Sequence, residues 1–382
     1  MQNLYKKHLE QLQERMRYRK LPACGQAPIS LIADFSTNDY LCLSRHPAPI
    51  AAAKAAAEKY GVGATGSRLL SGNCALFSEF EKQIAQDKNT EAALIFNSGF
   101  QANFSALSCL LDEKILQKKP IVFFDKLNHS SLYQALFLST AEFVRFAHAD
   151  IGQLKKHLQH YEKSDRPKFI VTETIFGMDG DCAPLNEIVA LAERFNCFLY
   201  LDEAHATGVF GKGGYGLSTL LELEKIPFLI MGTFSKALGC SGAYVASSKL
   251  LCDFIINKAA GFIYSTAPSP VNVAAAFAAW KLLPSLEQER LLLQEKAQDL
   301  RADLLKKGFD CGTSQTHILP ILIGSEERSL HAQHALLQKG IKISSIRPPT
   351  VPPGTSRLRI ALTINHNQQD LSALVDALTK LF

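Results

Sequence analysis

The segment 232–239 follows an apolar stretch and contains a lysine. The apolar stretch 228–231 predicts a buried strand, so Lys236 lies just beyond a strand end. A lysine in that position is costly unless it is paired or has given up its charge. Thr233 and Ser235 flank it with hydroxyl groups that suit a phosphate. A lysine beside phosphate-binding hydroxyls fits a Schiff base with pyridoxal phosphate, whereas a surface lysine in a turn is the ordinary alternative.

An acidic residue ends a second apolar stretch, within residues 200–205. Asp202 lies at the carboxyl end of a predicted strand, where α/β sheets place their ligands. Pyridoxal phosphate withdraws electrons only while its ring nitrogen is protonated, and a carboxylate facing that nitrogen keeps the proton in place. His205 is a candidate hydrogen-bond partner of the phenolic oxygen of the cofactor. The alternatives are that Asp202 caps the next helix and that His205 is structural.

Two weaker signals have the same strand-to-helix setting. Residues 97–103 predict a helix N-terminus at Gly99 and Phe100, whose backbone N–H groups suit a phosphate. Residues 125–130 contain His129, a candidate to stack on the cofactor ring and to serve as an acid; a helix-capping histidine is the alternative. All four signals lie at strand ends of one predicted sheet, so we expect their side chains to meet there.

Two other segments match the motifs of nucleotide-binding proteins, but neither has the neighbouring elements that such a function requires. Residues 61–66 match the dinucleotide-binding pattern G-x-G-x-x-G, but an alanine-rich predicted helix at 48–60 precedes them where a strand is required. Residues 202–205 spell Asp-Glu-Ala-His, as in a helicase family. A nucleotide-driven motor also needs the phosphate loop G-x-x-x-x-G-K-[ST], which this sequence does not contain.

The bulk composition indicates an ordinary soluble enzyme. Its 41 basic and 36 acidic residues are dispersed, without the long basic block typical of nucleic-acid or membrane-surface binding. No run of eighteen apolar residues predicts a membrane span, and residues 1–20 lack the apolar core of a signal peptide. The nine cysteines form no C-x-x-C pair and suit a reducing compartment. We therefore expect a cytoplasmic protein with no nucleic-acid and no membrane partner.

From about residue 91 the apolar pattern alternates between strands and helices. Such alternation predicts an α/β fold with a mostly parallel sheet covered by helices on both faces. The predicted strands of this sheet are 92–96, 121–124, 143–146, 169–172, 198–201, 228–231 and 243–246. A long helical stretch at about 270–307 then breaks the rhythm.

A smaller α/β domain is predicted at the carboxyl end of the chain. Its predicted strands are 317–323, 341–346 and 357–362, and its predicted helices are 329–338 and a last one from residue 368. The domain break is expected near Pro284. The predicted division is an N-terminal helix and arm at 1–45, a large cofactor-binding domain at 46–283 and a small domain at 284–382. Within the first part, a charged helix is predicted at 3–18.

These residues resemble the α-oxoamine synthases, a family of fold-type-I pyridoxal-phosphate enzymes. The resemblance runs from about Asn38 to Leu362, in matching order. Residues 38–41 look like the opening motif of the family, in which Asn38 is expected to face the substrate. Residues 63–72 look like its glycine loop. The resemblance implies a fold-type-I transferase with a large domain and a smaller C-terminal α/β domain.

The resemblance also implies a role for each candidate at the strand ends. His129 matches the histidine that stacks on the cofactor ring. Asp202 and His205 match the partners of the pyridine nitrogen and the phenolic oxygen, and Lys236 matches the Schiff-base lysine. Residues 263–266 are similar to the stretch that reaches the phosphate in the partner subunit.

The family therefore implies a homodimer with shared active sites, in which Ser265 and Thr266 bind the cofactor of the other subunit. The sequence departs from the family pattern at two positions. Gly177 stands where the family has a serine, which puts one cofactor hydrogen bond in doubt, and Phe77 stands where the family has a histidine.

The proline-rich segment 346–359 resembles the branch of the family that makes 8-amino-7-oxononanoate. By that match Thr350 faces the substrate and Arg359 grips the carboxylate of the amino acid. The N-terminal arginine that contacts substrate maps best to Arg17, with Arg19 as the alternative. The substrates implied are L-alanine and a pimeloyl thioester, carried on coenzyme A or on an acyl carrier protein.

The reaction implied is a decarboxylative condensation. The amine of Lys236 takes the Cα proton of L-alanine, and His129 aids the acyl carbonyl. The alternatives are a glycine-using sibling such as 2-amino-3-ketobutyrate ligase, a fold-type-I aminotransferase, and an inactive scaffold subunit. The proline-rich segment argues against the first, and the joint presence of Lys236, Asp202 and His205 argues against the last.

Overall fold

A computed structural model describes residues 1–21 and 31–382. Residues 22–30, which include Cys24 and part of the predicted N-terminal arm, lie outside the described residues. The chain divides into two compact units. The smaller comprises Met1–Thr37, Met178–Asp181 and Leu292–Phe382, and the larger comprises Asn38–Gly177 and Cys182–Leu291. The three-part division into 1–45, 46–283 and 284–382 stays a prediction.

The strands of the described residues are numbered in chain order. They are β1 Ala33–Asp34, β2 Ala92–Phe96, β3 Ile121–Asp125, β4 Glu142–Phe146, β5 Lys168–Glu173, β6 Cys197–Asp202, β7 Phe228–Thr233, β8 Ala243–Ser247, β9 Ile318–Gly324, β10 Ile341–Lys342, β11 Ser344–Ile346 and β12 Ser356–Ala361. All seven predicted strands of the large sheet are present, within a residue or two of the predicted bounds.

The α-helices of the described residues are numbered in the same way. They are α1 Gln2–Glu14, α2 Pro47–Tyr60, α3 Ala75–Asp87, α4 Gly99–Leu110, α5 Glu113–Leu116, α6 Ser130–Leu138, α7 Ile151–His160, α8 Leu185–Arg194, α9 Lys249–Lys258, α10 Ala260–Ile263, α11 Pro270–Leu282, α12 Glu287–Lys306, α13 Glu326–Gln338 and α14 Gln368–Thr379.

The larger unit is built on one seven-stranded sheet. Its strand order is β2-β8-β7-β6-β5-β3-β4. Strand β8 runs antiparallel to β2 and β7, and the other neighbouring strands are parallel. The predicted α/β class with a mostly parallel sheet is confirmed. Because the parallel strands run the same way, the loops that follow β2, β3, β5, β6 and β7 all leave from one edge of the sheet.

Both faces of this sheet are buried, which explains the continuous apolar runs of its strands. Every residue of β3 is buried. Val122 and Phe124 belong to the core on one face, and Ile121 and Phe123 belong to the core on the other. This alternation follows from the two-residue period of a strand. A sheet held on both faces is a rigid support for the side chains at its carboxyl edge.

The smaller unit contains a three-stranded antiparallel sheet of order β11-β12-β9 and a parallel pair of β1 with β10. The prediction of one strand at 341–346 was wrong. Ile341 pairs with Ala33 in one sheet, whereas Ser344 pairs with Arg359 in another. The segment divides at Ile343 because its two halves pair with different, distant strands.

Two helical predictions also needed correction. The stretch 270–307 is divided into α11 and α12 by a 3-10 turn at Leu283–Leu286, and Pro284 in that turn lacks the N–H that a continuous helix would use. The N-terminal helix predicted at 3–18 ends at Glu14. Among the described residues, no helix combines the length and the apolar character needed to cross a membrane.

Candidate active site

Lys236 lies on the loop that follows β7, and hydroxyl groups hold that loop in place. The Thr233 hydroxyl donates to the Gly242 carbonyl at 2.9 Å and accepts from the Ser235 backbone N–H at 3.2 Å. The Ser235 hydroxyl lies 2.9 Å from the Thr233 hydroxyl and therefore donates to it. Lys236 is half-buried and Ser235 is exposed, and the two residues lie side by side at the sheet edge.

The first turn of α4 lies beside Thr233. Ser98 caps the helix by accepting a hydrogen bond from the Gln101 backbone N–H at 3.2 Å. A Cβ placed on Gly99 would lie 3.7 Å from the Thr233 Cβ, so this residue leaves space next to the hydroxyls, and Phe100 is exposed. Free backbone N–H groups and the positive end of the helix dipole favour a phosphate here. The two predicted phosphate-binding segments are thus neighbours.

Ser265 and Thr266 lie near the same strand end of the same subunit. The Asn97 amide donates to the Thr266 carbonyl at 2.9 Å and lies 3.5 Å from the Ser265 hydroxyl. A bridge between Ser67 and Thr266 ties this stretch to the glycine loop. The prediction that Ser265 and Thr266 serve the partner subunit's cofactor stays a prediction.

Asp202 ends β6 as a buried carboxylate. One of its oxygens accepts from the Ala204 backbone N–H at 2.9 Å and the other accepts from the Asn103 amide at 2.7 Å. Both of these hydrogen-bond donors are neutral. A cation supplied by a ligand would stabilise the buried carboxylate further. This arrangement fits the protonated ring nitrogen of pyridoxal phosphate.

His129 caps α6 and stands within electrostatic reach of Asp202 and Lys236. Its Nδ1 lies 3.2 Å from the Ser131 backbone nitrogen and 2.8 Å from the Ser131 hydroxyl. The residue is exposed, yet desolvation by the surrounding protein lowers the pKa of the imidazole. Asp202 opposes that shift and Lys236 adds to it. The structure therefore brings these three predicted residues together, with the imidazole biased toward its neutral form.

His205 is buried between Tyr40 and Gly177. Its Nδ1 lies 2.8 Å from the Tyr40 hydroxyl, which also lies 3.1 Å from the Asn38 side-chain oxygen. A Cβ on Gly177 would overlap the imidazole, with the ring carbons Cδ2 and Cε1 at 2.7 Å. The glycine that departs from the family pattern is thus the residue that leaves room for the ring of His205.

Sequence reasoning missed three side chains of this site. Glu173 ends β5 and is buried, and burial together with Asp202 raises the pKa of its carboxyl well above the usual value, against the opposing effect of Lys236. It follows an apolar run just as Asp202 does, so the same rule predicts it. Asn103 lies inside α4, and Ser131 lies in α6; both are buried polar residues that no local pattern marks.

A cationic cavity of about 330 Å³ lies within the smaller unit. Arg17, Arg19, Arg347 and Thr350 line it. Arg17 pairs with Glu326 at 2.9 Å, and Arg19 donates to the Thr350 hydroxyl at 3.1 Å. The Nε of Arg347 is buried without a hydrogen-bond partner among the described residues, and burial and Arg19 lower the pKa of that guanidinium. Such a cavity suits an anion.

Arg359 lies on β12 of the smaller unit and is buried. It pairs in register with Ser344 of β11 and Pro320 of β9. Two residues before it, Arg357 forms an ion pair with Asp179. The predicted roles of Arg359, Thr350 and Arg17 or Arg19 at the substrate stay predictions.

Comparison with known proteins agrees with these features. The family model described as aminotransferase class I and II matches residues 31–378. An 8-amino-7-oxononanoate synthase of Gluconacetobacter diazotrophicus is 43% identical over 349 residues, which cover 91% of this chain and 87% of that protein.

Solved structures are similar over nearly the whole chain. A serine palmitoyltransferase variant of S. paucimobilis with bound PLP and myriocin superimposes with a TM-score of 0.88 at 27% identity, covering 99% of this chain and 96% of that one. An 8-amino-7-oxononanoate synthase of Francisella tularensis superimposes with a TM-score of 0.79 at 27% identity, covering 92% of this chain and 97% of that one.

Proposed function

Because this chain belongs to the class I and II aminotransferase family, and within it to the α-oxoamine synthases that depend on pyridoxal phosphate, we propose that it is an 8-amino-7-oxononanoate synthase. In this proposal L-alanine and a pimeloyl thioester condense, with loss of carbon dioxide and release of the thiol. The observation that carries it is the meeting of His129, Asp202 and Lys236 at one sheet edge, in a chain 43% identical to a synthase of that name.

The residues present fit the cofactor group by group. The first turn of α4 and Thr233 suit the phosphate, Asp202 suits the ring nitrogen, and His205 suits the phenolic oxygen. His129 offers an exposed ring for stacking, and Lys236 is the point of covalent attachment. Bound pyridoxal phosphate supplies an electron sink for a carbanion at the Cα of the amino acid.

The chain's own groups carry the proton transfers and the positioning. The Lys236 amine takes the Cα proton of L-alanine and later returns a proton to that carbon. The new carbon–carbon bond forms to the acyl carbon, the carbon–sulfur bond breaks, and the thiolate leaves with a proton. The bond to the alanine carboxylate then breaks to give carbon dioxide. Arg359 holds that carboxylate before it leaves, and His129 donates a hydrogen bond to the acyl oxygen.

The cationic cavity supports a substrate that carries a second carboxylate. Pimeloyl chains end in a carboxylate, whereas palmitoyl chains end in a methyl group. Three arginines line the cavity, and Glu326 is the acid that pairs with one of them, Arg17. A planar guanidinium binds a carboxylate through two parallel hydrogen bonds. We assign the cavity to the free carboxylate of the acyl substrate.

A second candidate is a serine-using synthase with a long acyl chain. The serine palmitoyltransferase structure superimposes with the higher TM-score, 0.88 against 0.79. That score reports the backbone alone, and fold does not decide the substrate within a family. The 43% identity to an 8-amino-7-oxononanoate synthase and the cationic cavity favour the first candidate.

The test is a substrate panel assayed by thiol release. L-alanine, glycine and L-serine are each combined with pimeloyl-CoA, acetyl-CoA and palmitoyl-CoA, and the absorbance of the cofactor is followed. We expect release with L-alanine and pimeloyl-CoA above all other pairs. Preference for serine and palmitoyl-CoA would support the second candidate, and absorbance changes without thiol release from any thioester would indicate an aminotransferase.

A pair of lysine variants tests the assigned base. Lys236→Ala should abolish thiol release, because the base for the Cα proton is gone. Lys126→Ala removes an exposed lysine that also follows a strand end and should keep normal activity. Substantial turnover by Lys236→Ala would refute the assigned mechanism.

A further inference from the structure

The neighbours of Asn103 determine the orientation of its amide. Its Nδ2 lies 2.7 Å from Asp202 Oδ2 and 2.9 Å from Ser131 Oγ, and its Oδ1 lies 2.9 Å from the Tyr200 hydroxyl. An ionised carboxylate only accepts hydrogen bonds. Burial raises the pKa of Tyr200 well above its usual value, so its hydroxyl keeps its proton and donates. The amide therefore donates to both Asp202 and Ser131.

Ser131 carries this orientation to His129. The Ser131 hydroxyl oxygen accepts from Asn103, and the His129 Nδ1 accepts from the Ser131 backbone N–H at 3.2 Å. A ring nitrogen that accepts from a backbone N–H carries no proton of its own. The Ser131 hydroxyl, 2.8 Å away, therefore donates to Nδ1 as a second donor. A neutral imidazole has one N–H, so the proton lies on Nε2.

We propose that Asn103 and Ser131 are positioning residues that hold His129 as the neutral Nε2–H tautomer, so that it acts as a hydrogen-bond donor and not as a base. The identity of the acceptor, the acyl carbonyl oxygen, rests on the proposed function; the tautomer does not. We call the hydrogen-bonded series from Asn103 through Ser131 to His129 the relay. All of its groups except the imidazole are buried, with Asn103 1% and Ser131 0% exposed.

The relay also opposes a charge on the imidazole. Protonation at Nδ1 would break both hydrogen bonds that this nitrogen accepts, and bonds to the neutral form disfavour the charged form. The low pKa of His129, caused by desolvation and by Lys236, acts in the same direction. Since one amide serves both Asp202 and Ser131, the carboxylate and the imidazole are oriented by the same buried residue.

The first test reads the tautomer directly. The cofactor-loaded protein is labelled with ¹⁵N-histidine, and a long-range ¹H–¹⁵N spectrum is recorded at neutral pH. The His129→Gln variant identifies the signal by its loss. We expect Nδ1 to show the shift of an unprotonated nitrogen and Nε2 that of a protonated one. A signal with the proton on Nδ1, or a charged ring at neutral pH, would overturn the proposal.

The second test removes the hydroxyl from the relay. Ser131→Ala should raise the pKa of His129 toward its usual 6.5, which is followed in the same spectrum. The acidic limb of the pH profile of kcat should shift to higher pH by the same amount. Ser131→Cys keeps the side-chain size and a weak donor, so its pKa should lie between the two. Ser130→Ala removes an exposed hydroxyl one residue away and should change neither.

The expected loss is in turnover more than in binding. A positioned hydrogen-bond donor to a developing oxyanion contributes about 10²–10³-fold, so partial misorientation in Ser131→Ala should lower kcat by roughly tenfold with little change in KM for L-alanine. If Ser131→Ala matches Ser130→Ala in pKa and kcat, the relay is wrong. If no thioester releases thiol while the Nε2–H tautomer is found, the proposed function fails and the tautomer assignment stands.

Discussion

Gly177 and His205 constrain each other at the level of single residues. A Cβ at position 177 would overlap the imidazole, and the other side of that ring is hydrogen-bonded to Tyr40. A serine at this position, as in the family pattern, therefore requires a different position of the ring. Gly177 replaces a potential hydrogen-bond donor with space that His205 fills.

Gly177→Ser should weaken cofactor binding. The added side chain displaces the His205 ring and strains its hydrogen bond to Tyr40, and overpacking of a buried position costs about 1–3 kcal/mol. The measurement is cofactor affinity by fluorescence titration, alongside urea unfolding. Gly152→Ala, in the first turn of α7, is the control and should leave the cofactor affinity unchanged. Unchanged or tighter cofactor binding by Gly177→Ser would contradict this account.

Arg347 should decide the preference for a charged acyl chain. Arg347→Met keeps most of the side-chain volume and removes the guanidinium whose Nε is buried without a partner among the described residues. We expect KM for pimeloyl-CoA to rise about tenfold or more, since loss of a charge-assisted hydrogen bond costs about 1.5–3 kcal/mol. KM for heptanoyl-CoA, which lacks the carboxylate, should hardly change. Equal effects on both thioesters would show that the cavity does not bind the carboxylate.

At the scale of elements, a buried ion pair holds the segment that carries Asp202 and His205. Lys88, at the end of α3, pairs with Glu203, and both side chains are fully buried. Glu203 also accepts from the Ser218 backbone N–H at 2.7 Å and hydroxyl at 2.9 Å, and Lys88 donates to the Tyr215 carbonyl at 2.7 Å. Desolvation lowers the pKa of Lys88, and Glu203 opposes this shift.

Lys88→Met should destabilise the protein by about 3–5 kcal/mol, because Glu203 is left as an uncompensated buried charge. Urea unfolding measures the change. The double variant Lys88→Met/Glu203→Gln should recover part of it, since the unpaired charge is removed. Lys118→Met breaks an exposed pair with Asp165 and should change stability little. A loss in Lys88→Met no larger than in Lys118→Met would refute the structural role of this pair.

At the scale of the whole molecule, two joined segments carry strongly exposed apolar side chains. Val62, Leu70 and Tyr264 are each at least 80% exposed. The glycine loop and the stretch 263–266 are joined by the Ser67–Thr266 bridge and by a hydrogen bond from the Ala267 N–H to the Gly66 carbonyl. Contiguous exposed apolar surface commonly marks an interface.

The chain should therefore form a homodimer with this surface in the interface. Light scattering should give twice the chain mass of 42.0 kDa. Leu70→Glu should shift the protein toward monomer and lower activity, because the sites are expected to be shared. Leu250→Glu, on the exposed face of α9, is the control and should leave the dimer intact. A wild-type monomer with full activity would contradict the shared-site prediction.

The sequence alone determined the large sheet and the positions of its main functional groups. Strands buried on both faces are continuous apolar runs, so β3 and its neighbours are visible locally, and polar residues directly after them mark the sheet edge. Asp202, His129 and Lys236 could be found in this way. The strand at 341–346 could not be bounded, since its halves pair with residues far away in the chain.

Only the tertiary structure decided how these groups are oriented. Asn103 and Ser131 lie inside helices, where their spacing predicts nothing, and packing of α4 and α6 against the sheet brings them to Asp202 and His129. The same holds for Gly177, whose importance depends on the ring of His205 from another strand end. Local patterns encode elements, whereas hydrogen-bond partners and close contacts depend on which distant segments pack together.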